Sequence, residues 1–191
     1  MKLLIYILLF FPIFVIGQSS GNTNSQKENV SVDKEVSKKS VATSISANFN
    51  SKVILAYANQ SEQLITDFYN YLTLYNQSES PDLQKELDKS ILQMFLSETT
   101  LIEDFINGTN KKITLLQLLQ YCKENKFVVT VNNVQNHAVN ANNFDMKYQL
   151  LVTNKSVTKT YNLTQKVYLF PVEKTFGNTK KTVWELKLGE F

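Results

Sequence analysis

Apolar residues after position 50 fall into two successive rhythms, the first helical. Val53, Ile54, Tyr57, Leu64, Ile65, Phe68, Tyr71, Leu72 and Tyr75 recur at three- and four-residue steps, which predicts one long amphipathic helix reaching about Gln77. Ser80 then precedes Pro81, whose fixed backbone suits a first helical turn, and Leu83, Leu87, Ile91, Met94 and Phe95 form the stripe of a second helix. The stretch from Thr99 to Gly108 has no clear period and ends in an Asn107–Gly108 turn. Thr114 and Gln117 are spaced as a capping box, with Ile113 and Leu118 placed for a hydrophobic staple, so a third helix opens there and runs through Leu119 and Cys122.

After Asn125 the period drops to two. Phe127, Val129 and Val131 alternate with polar neighbours, and the same parity continues onto Asn133, Gln135 and His137. Phe144, Met146, Tyr148, Leu150 and Val152 mark a second strand, Tyr161, Leu163, Gln165, Val167 and Leu169 a third, and Trp184, Leu186 and Leu188 a fourth. The short polar connectors at 140–143, 154–156 and 177–180 suit antiparallel neighbours. Helices first and strands second predict an α+β domain: three N-terminal helices packed on a curved four-stranded antiparallel sheet.

The chain before this domain reads differently. Lys2 and the uninterrupted apolar run from Leu3 to Ile16 form a signal peptide over residues 1–17, too short for the roughly 20 residues of a spanning helix. Val15 and Gly17 suit cleavage after Gly17, and the absence of a cysteine at position 18 disfavours lipid anchoring, so a periplasmic or secreted product with no membrane span after cleavage is expected. Residues 18–49 are rich in Ser, Asn, Lys, Val and Thr with no sustained apolar period, which predicts a flexible polar leader, and 50–191 is the folded domain.

Composition narrows the chemistry. The net charge is +3, and all 20 basic residues are lysine, against 17 acidic residues. Without arginine the chain lacks the planar fork that dominates phosphate and guanine recognition, and its lysine pairs form no stripe, so nucleic acid is not expected as a partner. Five scattered glycines build no phosphate-cradling loop, and one His and one Cys do not make a metal site, so neither cofactor nor metal is expected. Six Asn-x-Ser/Thr sequons begin at Asn29, Asn59, Asn76, Asn107, Asn154 and Asn162, but a chain this rich in Asn, Ser and Thr produces them by chance; the composition suggests a bacterium with an AT-rich genome.

Three helices followed by four long antiparallel strands, with an aromatic first helix and the Trp184–Leu188 run in the last strand, resemble the nuclear transport factor 2-like superfamily. The resemblance covers residues 50–191 and rests on element order, not on a signature motif. It implies a cone-shaped α+β fold with a pocket at its wide end, used by different members for catalysis, small-ligand binding or protein contact. On that footing His137, Tyr148, Gln165 and Trp184 are the candidate ligand-binding residues, all placed on inward strand faces. Asp67, Glu103 and Asp145 show no catalytic spacing with His137, and no catalytic residue is assigned. Cys122 reads as a buried structural thiol.

The expectation is therefore an exported, noncatalytic domain that holds a small apolar ligand or a protein partner in its pocket or on its sheet face. The alternatives are a cofactor-free isomerase or hydratase, with His137 as base and Tyr148 as hydrogen-bond donor, and a structural subunit of an envelope assembly. The tyrosines on the first helix exceed what one buried face needs, which favours a homodimer or a partner surface.

Overall fold

The computed structural model describes residues 44–109 and 111–191; the signal segment 1–17 and the leader up to residue 43 lie outside the described residues. The fold is α+β, with helices followed by a four-stranded antiparallel sheet. A short helix α1 (Ile45–Asn48) leads into the long α2 (Ser51–Gln77), and α3 (Pro81–Met94) follows after a three-residue break. A small hairpin of β1 (Leu101–Glu103) and β2 (Lys112–Thr114) takes up the stretch without a period, and α4 (Leu115–Glu124) opens directly from it. Four strands complete the chain in spatial order β3 (Val128–Val139), β4 (Asn143–Asn154), β5 (Val157–Phe176) and β6 (Thr179–Leu188).

The helix starts are written locally. The Asn50 side chain accepts from Val53 N, and Ser80 accepts from Leu83 N just ahead of Pro81. At α4 the capping box is complete: Gln117 N donates to Thr114 Oγ1 at 3.2 Å and Thr114 N donates to Gln117 Oε1 at 2.9 Å. The inward face of α2 is Ala58, Ser61, Ile65, Phe68, Leu72 and Tyr75, joined by Tyr69 beside it, and it meets Phe144, Met146, Leu150 and Val167 from the sheet in one core. Each large apolar side chain fully buried there contributes about 1.5–3 kcal/mol relative to exposure.

The domain also takes in residues whose composition resembles the leader. Ile45 is fully buried, its N–H donates to Ala141 O at 2.6 Å, and Phe49 packs edge-on against Trp184 at 4.9 Å and beside Tyr57 at 5.2 Å. Residues 44–49 are therefore packed into the domain. One isoleucine and one phenylalanine are too few to show a period.

Asn76 ties the end of α2 to the start of the sheet. Its Nδ2 donates to the carbonyls of Cys122 and Asn125, and its Oδ1 accepts from Phe127 N at 3.1 Å. The side chain is buried, so the sequon at Asn76 cannot carry a glycan in the folded state.

Two features shape the sheet. β3 pairs with β4 in uneven register, with one extra residue between Asn132 and Gln135 and another between Asn136 and Ala138. Asn133 sits at φ +54 in the first of these bulges. β5 is longer than its neighbours: Val157–Tyr168 pairs with β4, and Val167–Phe176 pairs with β6. The end of β5 and the start of β6 thus form a two-stranded arm reaching past β4. Leu169 N–H donates toward the β4 side, to Asn142 O, so Pro171 two residues on turns its missing donor toward the same side, where β4 has ended.

Candidate functional site

The strand alternation brings two of the four predicted ligand residues together, deep inside the domain. The Tyr148 hydroxyl donates to Gln165 Oε1 at 2.9 Å, lies 2.9 Å from the Tyr69 hydroxyl, and Gln165 Nε2 donates to the carbonyl of Gly189 at 3.2 Å. Tyr148 can give its one proton to Gln165 only if Tyr69 is the donor in the contact between the phenols. The chain Tyr69, Tyr148, Gln165, Gly189 is therefore directional, and every one of these groups has a partner within the protein.

Buried side chains pack around it. Tyr69, Gln165, Phe144 and Met146 are buried, Tyr148 is 3% exposed, and Tyr69 stacks edge-to-face on Tyr148 at 5.7 Å and on Phe105 at 5.9 Å. Burial pushes both phenols up, and at Tyr148 the neighbouring Tyr69 adds to the effect, so both stay protonated. Gly189 is required at the end of the chain: a Cβ there would stand 2.4 Å from the Tyr168 ring.

Trp184 lies apart from this chain, with its ring against Phe49. His137 is elsewhere again. The inward position predicted for it does not hold, because the bulge at Asn133 reverses the alternation of β3: Val129 and Val131 face the core, but beyond the bulge Val134 and Asn136 take the sheltered positions and Gln135 and His137 are exposed. His137 Nε2 accepts from Lys147 Nζ at 3.0 Å on the outer face of the sheet, whereas Tyr148, next to Lys147 in sequence, points inward. A strict period of two, carried through a residue that tolerates positive φ, gives the wrong face from Asn133 to His137, until the second extra residue before Ala138 restores the parity. The Asn132–Asn133 pair is the only sequence signal for the bulge.

Tyr69 is the member of the polar chain that sequence pattern missed. It sits one position off the α2 stripe, beside Phe68, and reads as surplus aromatic rather than as the partner of a strand residue 79 positions away. Cys122 is on the buried face of α4, and burial pushes its thiol up, which makes it a poor nucleophile. Among the described residues no three His, Cys, Asp or Glu side chains come together as a metal site, and no helix is long and apolar enough to cross a membrane.

The outer face of the sheet is the larger feature. It carries Thr130, Asn132 and Gln135 from β3, Lys147 and Gln149 from β4, and Asn162 and Thr164 from β5, and no described helix packs on it. A groove of about 530 Å³ is lined there by Asn133, Gln135, Lys147, Gln149, Asn162 and Thr164, and also by Tyr148 and Leu163, whose side chains are buried. A second groove of about 550 Å³ shares Asn162 and Thr164 and is bounded by Glu103, Tyr161 and Phe191. Both present neutral amides and hydroxyls that donate and accept, with one ammonium and one carboxylate at their margins.

No protein-family profile, no curated protein and no solved structure matches this chain.

Proposed function

We propose that this chain is an exported, noncatalytic interaction domain that holds a protein partner on the open outer face of its sheet, around Asn162 and Thr164. The observation that carries the reading is the contrast between the two faces. Inside, the meeting point of Tyr148 and Gln165 is filled and its hydrogen-bonding groups are paired with one another. Outside, a groove across β3, β4 and β5 presents amide and hydroxyl groups on a paired sheet, and a second groove adjoins it at Asn162 and Thr164, the setting in which polar recognition costs little ordering entropy.

Export is the part of the reading supported by the N-terminal apolar run Leu3–Ile16, and the nuclear transport factor 2-like likeness is supported by element order alone. The isomerase or hydratase alternative needs His137 and Tyr148 to face one substrate, and they lie on opposite faces of the sheet. A small apolar ligand would need an interior cavity at Tyr148 and Gln165, where side chains pack.

The test is site-specific photo-crosslinking in the producing cell, with the probe at Gln149 or Asn162 on the sheet and at Gln120 on the exposed side of α4 as control. The expected result is one discrete adduct from the sheet positions, lost when Thr164 is replaced by Lys. Adducts from Gln120 alone, or a small molecule released from the core on denaturing the purified protein, would overturn the reading.

A further inference from the structure

The last strand leaves an unpartnered edge, and its sequence is complementary to itself. β6 pairs with β5 on one side only. Its odd-numbered residues turn their backbone groups to β5, as Gly189 N–H shows by donating to Lys166 O, so Lys180, Thr182, Trp184 and Leu186 turn theirs to the open side. Among the described residues nothing pairs with these groups. The open edge stops at Leu188, where Phe95 bridges alongside and Leu96 N–H donates to Leu188 O. It therefore runs from Thr179 to Lys187, with Val183 at its midpoint.

We propose that a second copy of this chain docks on that edge, β6 antiparallel to β6 about a two-fold axis at Val183, joining two sheets into one of eight strands. Centring on Val183 sets Thr182 against Trp184 and Lys180 against Leu186 as hydrogen-bonded pairs, closing about eight backbone bonds across the axis. On the outer face it sets Lys181 opposite Glu185 of the second copy, twice by symmetry, with Val183 on Val183 between them. These are the closer, non-hydrogen-bonded positions, where opposite charges face at short range.

Neighbouring registers lack this match. A centre at Lys181 places that lysine on itself, one at Trp184 sets Lys181 against Lys187, one at Glu185 places Glu185 on itself, and one at Thr182 sets Lys181 against Val183. Within one copy Lys181 lies opposite Lys174, a like-charged pair, while Glu185 holds Lys174 at 2.5 Å. A second Glu185 across the axis supplies Lys181 with the anion that its own sheet gives to Lys174. Lysines on an edge strand commonly block pairing; among these registers only the one centred on Val183 sets each Lys181 against a Glu185. This proposal concerns the edge and stands apart from the reading of the sheet face.

The experiment is sedimentation velocity on the full chain and on Lys181→Glu, Glu185→Lys and the charge-swapped double variant, with circular dichroism to check folding. The expected result is a dimer for the parent, monomers for both single variants, and a dimer restored in the double. Equimolar mixing of the two single variants gives a heterodimer, because each then faces the opposite charge at both positions. A parent that stays monomeric overturns the proposal, as do folded single variants that remain dimeric or single variants that fail to combine on mixing.

Discussion

Replacing Tyr148 by Phe tests the direction of the buried polar chain as well as its existence. Tyr148 gives its proton to Gln165 and accepts from Tyr69, so the two phenols are not equivalent. Tyr148→Phe leaves the Tyr69 O–H without an acceptor and Gln165 Oε1 without a donor, two buried groups at about 1–3 kcal/mol each, for a total near 3 kcal/mol. Tyr69→Phe removes the terminal donor and strands no other donor, so it costs about 1 kcal/mol, the net value of one bond. In the double variant only Gln165 Oε1 is left unpaired, and the cost is about 2 kcal/mol, well short of the sum of the single changes. Urea unfolding followed by the fluorescence of Trp184, the sole tryptophan, reads these differences. With a slope of about 2 kcal/mol per M the midpoint falls by about 1.5 M for Tyr148→Phe, 0.5 M for Tyr69→Phe and 1 M for the pair. Equal losses from the two single variants, adding without coupling in the double, would refute the directional chain.

Asn76→Leu strips Cys122 O, Asn125 O and Phe127 N of their partner at the junction of α2 with β3; a loss of about 3–5 kcal/mol in urea unfolding is expected, against about 1 kcal/mol for removing the α4 cap with Thr114→Ala. Gly189→Ala drives a methyl into the Tyr168 ring and displaces the carbonyl that Gln165 holds, so its thermal midpoint drops well below that of Gly177→Ala, where a Cβ meets nothing within 4 Å and only the φ of +60 is strained. At Glu190 partial burial raises the carboxyl, but hydrogen bonds from Lys166 and Tyr168 outweigh it and leave the carboxyl below its ordinary value. The stability it contributes is full above the ordinary carboxylate pKa and is lost as pH falls through the lowered one; urea midpoints measured on the acid side therefore fall more steeply for the parent than for Glu190→Gln. Cys122 reacts with a thiol reagent only when the domain opens, so its labelling rate in native buffer tracks the unfolding equilibrium and rises in Asn76→Leu.

The helices were legible because their signals are local. The three- and four-residue steps of α2, of which Ile65, Phe68, Leu72 and Tyr75 are buried, the Ser80–Pro81 start of α3 and the Thr114–Gln117 box of α4 are each local, and each is met in the structure. The four strands and their antiparallel order followed equally from an alternation of period two and from short polar connectors, including the two-residue Lys155–Ser156 turn with both residues at positive φ. Burial of one face forces that alternation, so the pattern survives wherever the ladder is regular.

The candidate site was less legible, and for a specific reason. Tyr148 and Gln165 were placed inward correctly because β4 and β5 pair without interruption from Asn143 to Asn154. His137 was misplaced because β3 carries an extra residue at Asn133, and one inserted residue turns the side chains after it to the other face until the second extra residue before Ala138. Whether the inward residues line a pocket or fill one depends on how closely α2 lies on the sheet, which brings Tyr69 onto Tyr148 across 79 residues of chain. The sequence by itself determined the three longer helices, the four long strands, their order and the α+β class, since these follow from local periodicity and caps, whereas α1 and the β1–β2 hairpin carry no period to read. Only the tertiary structure decided the bulge that moves His137 outside, the closing of the interior around Tyr148 and Gln165, and the stagger that carries β5 and β6 past β4, because each depends on register and packing between segments far apart in the chain.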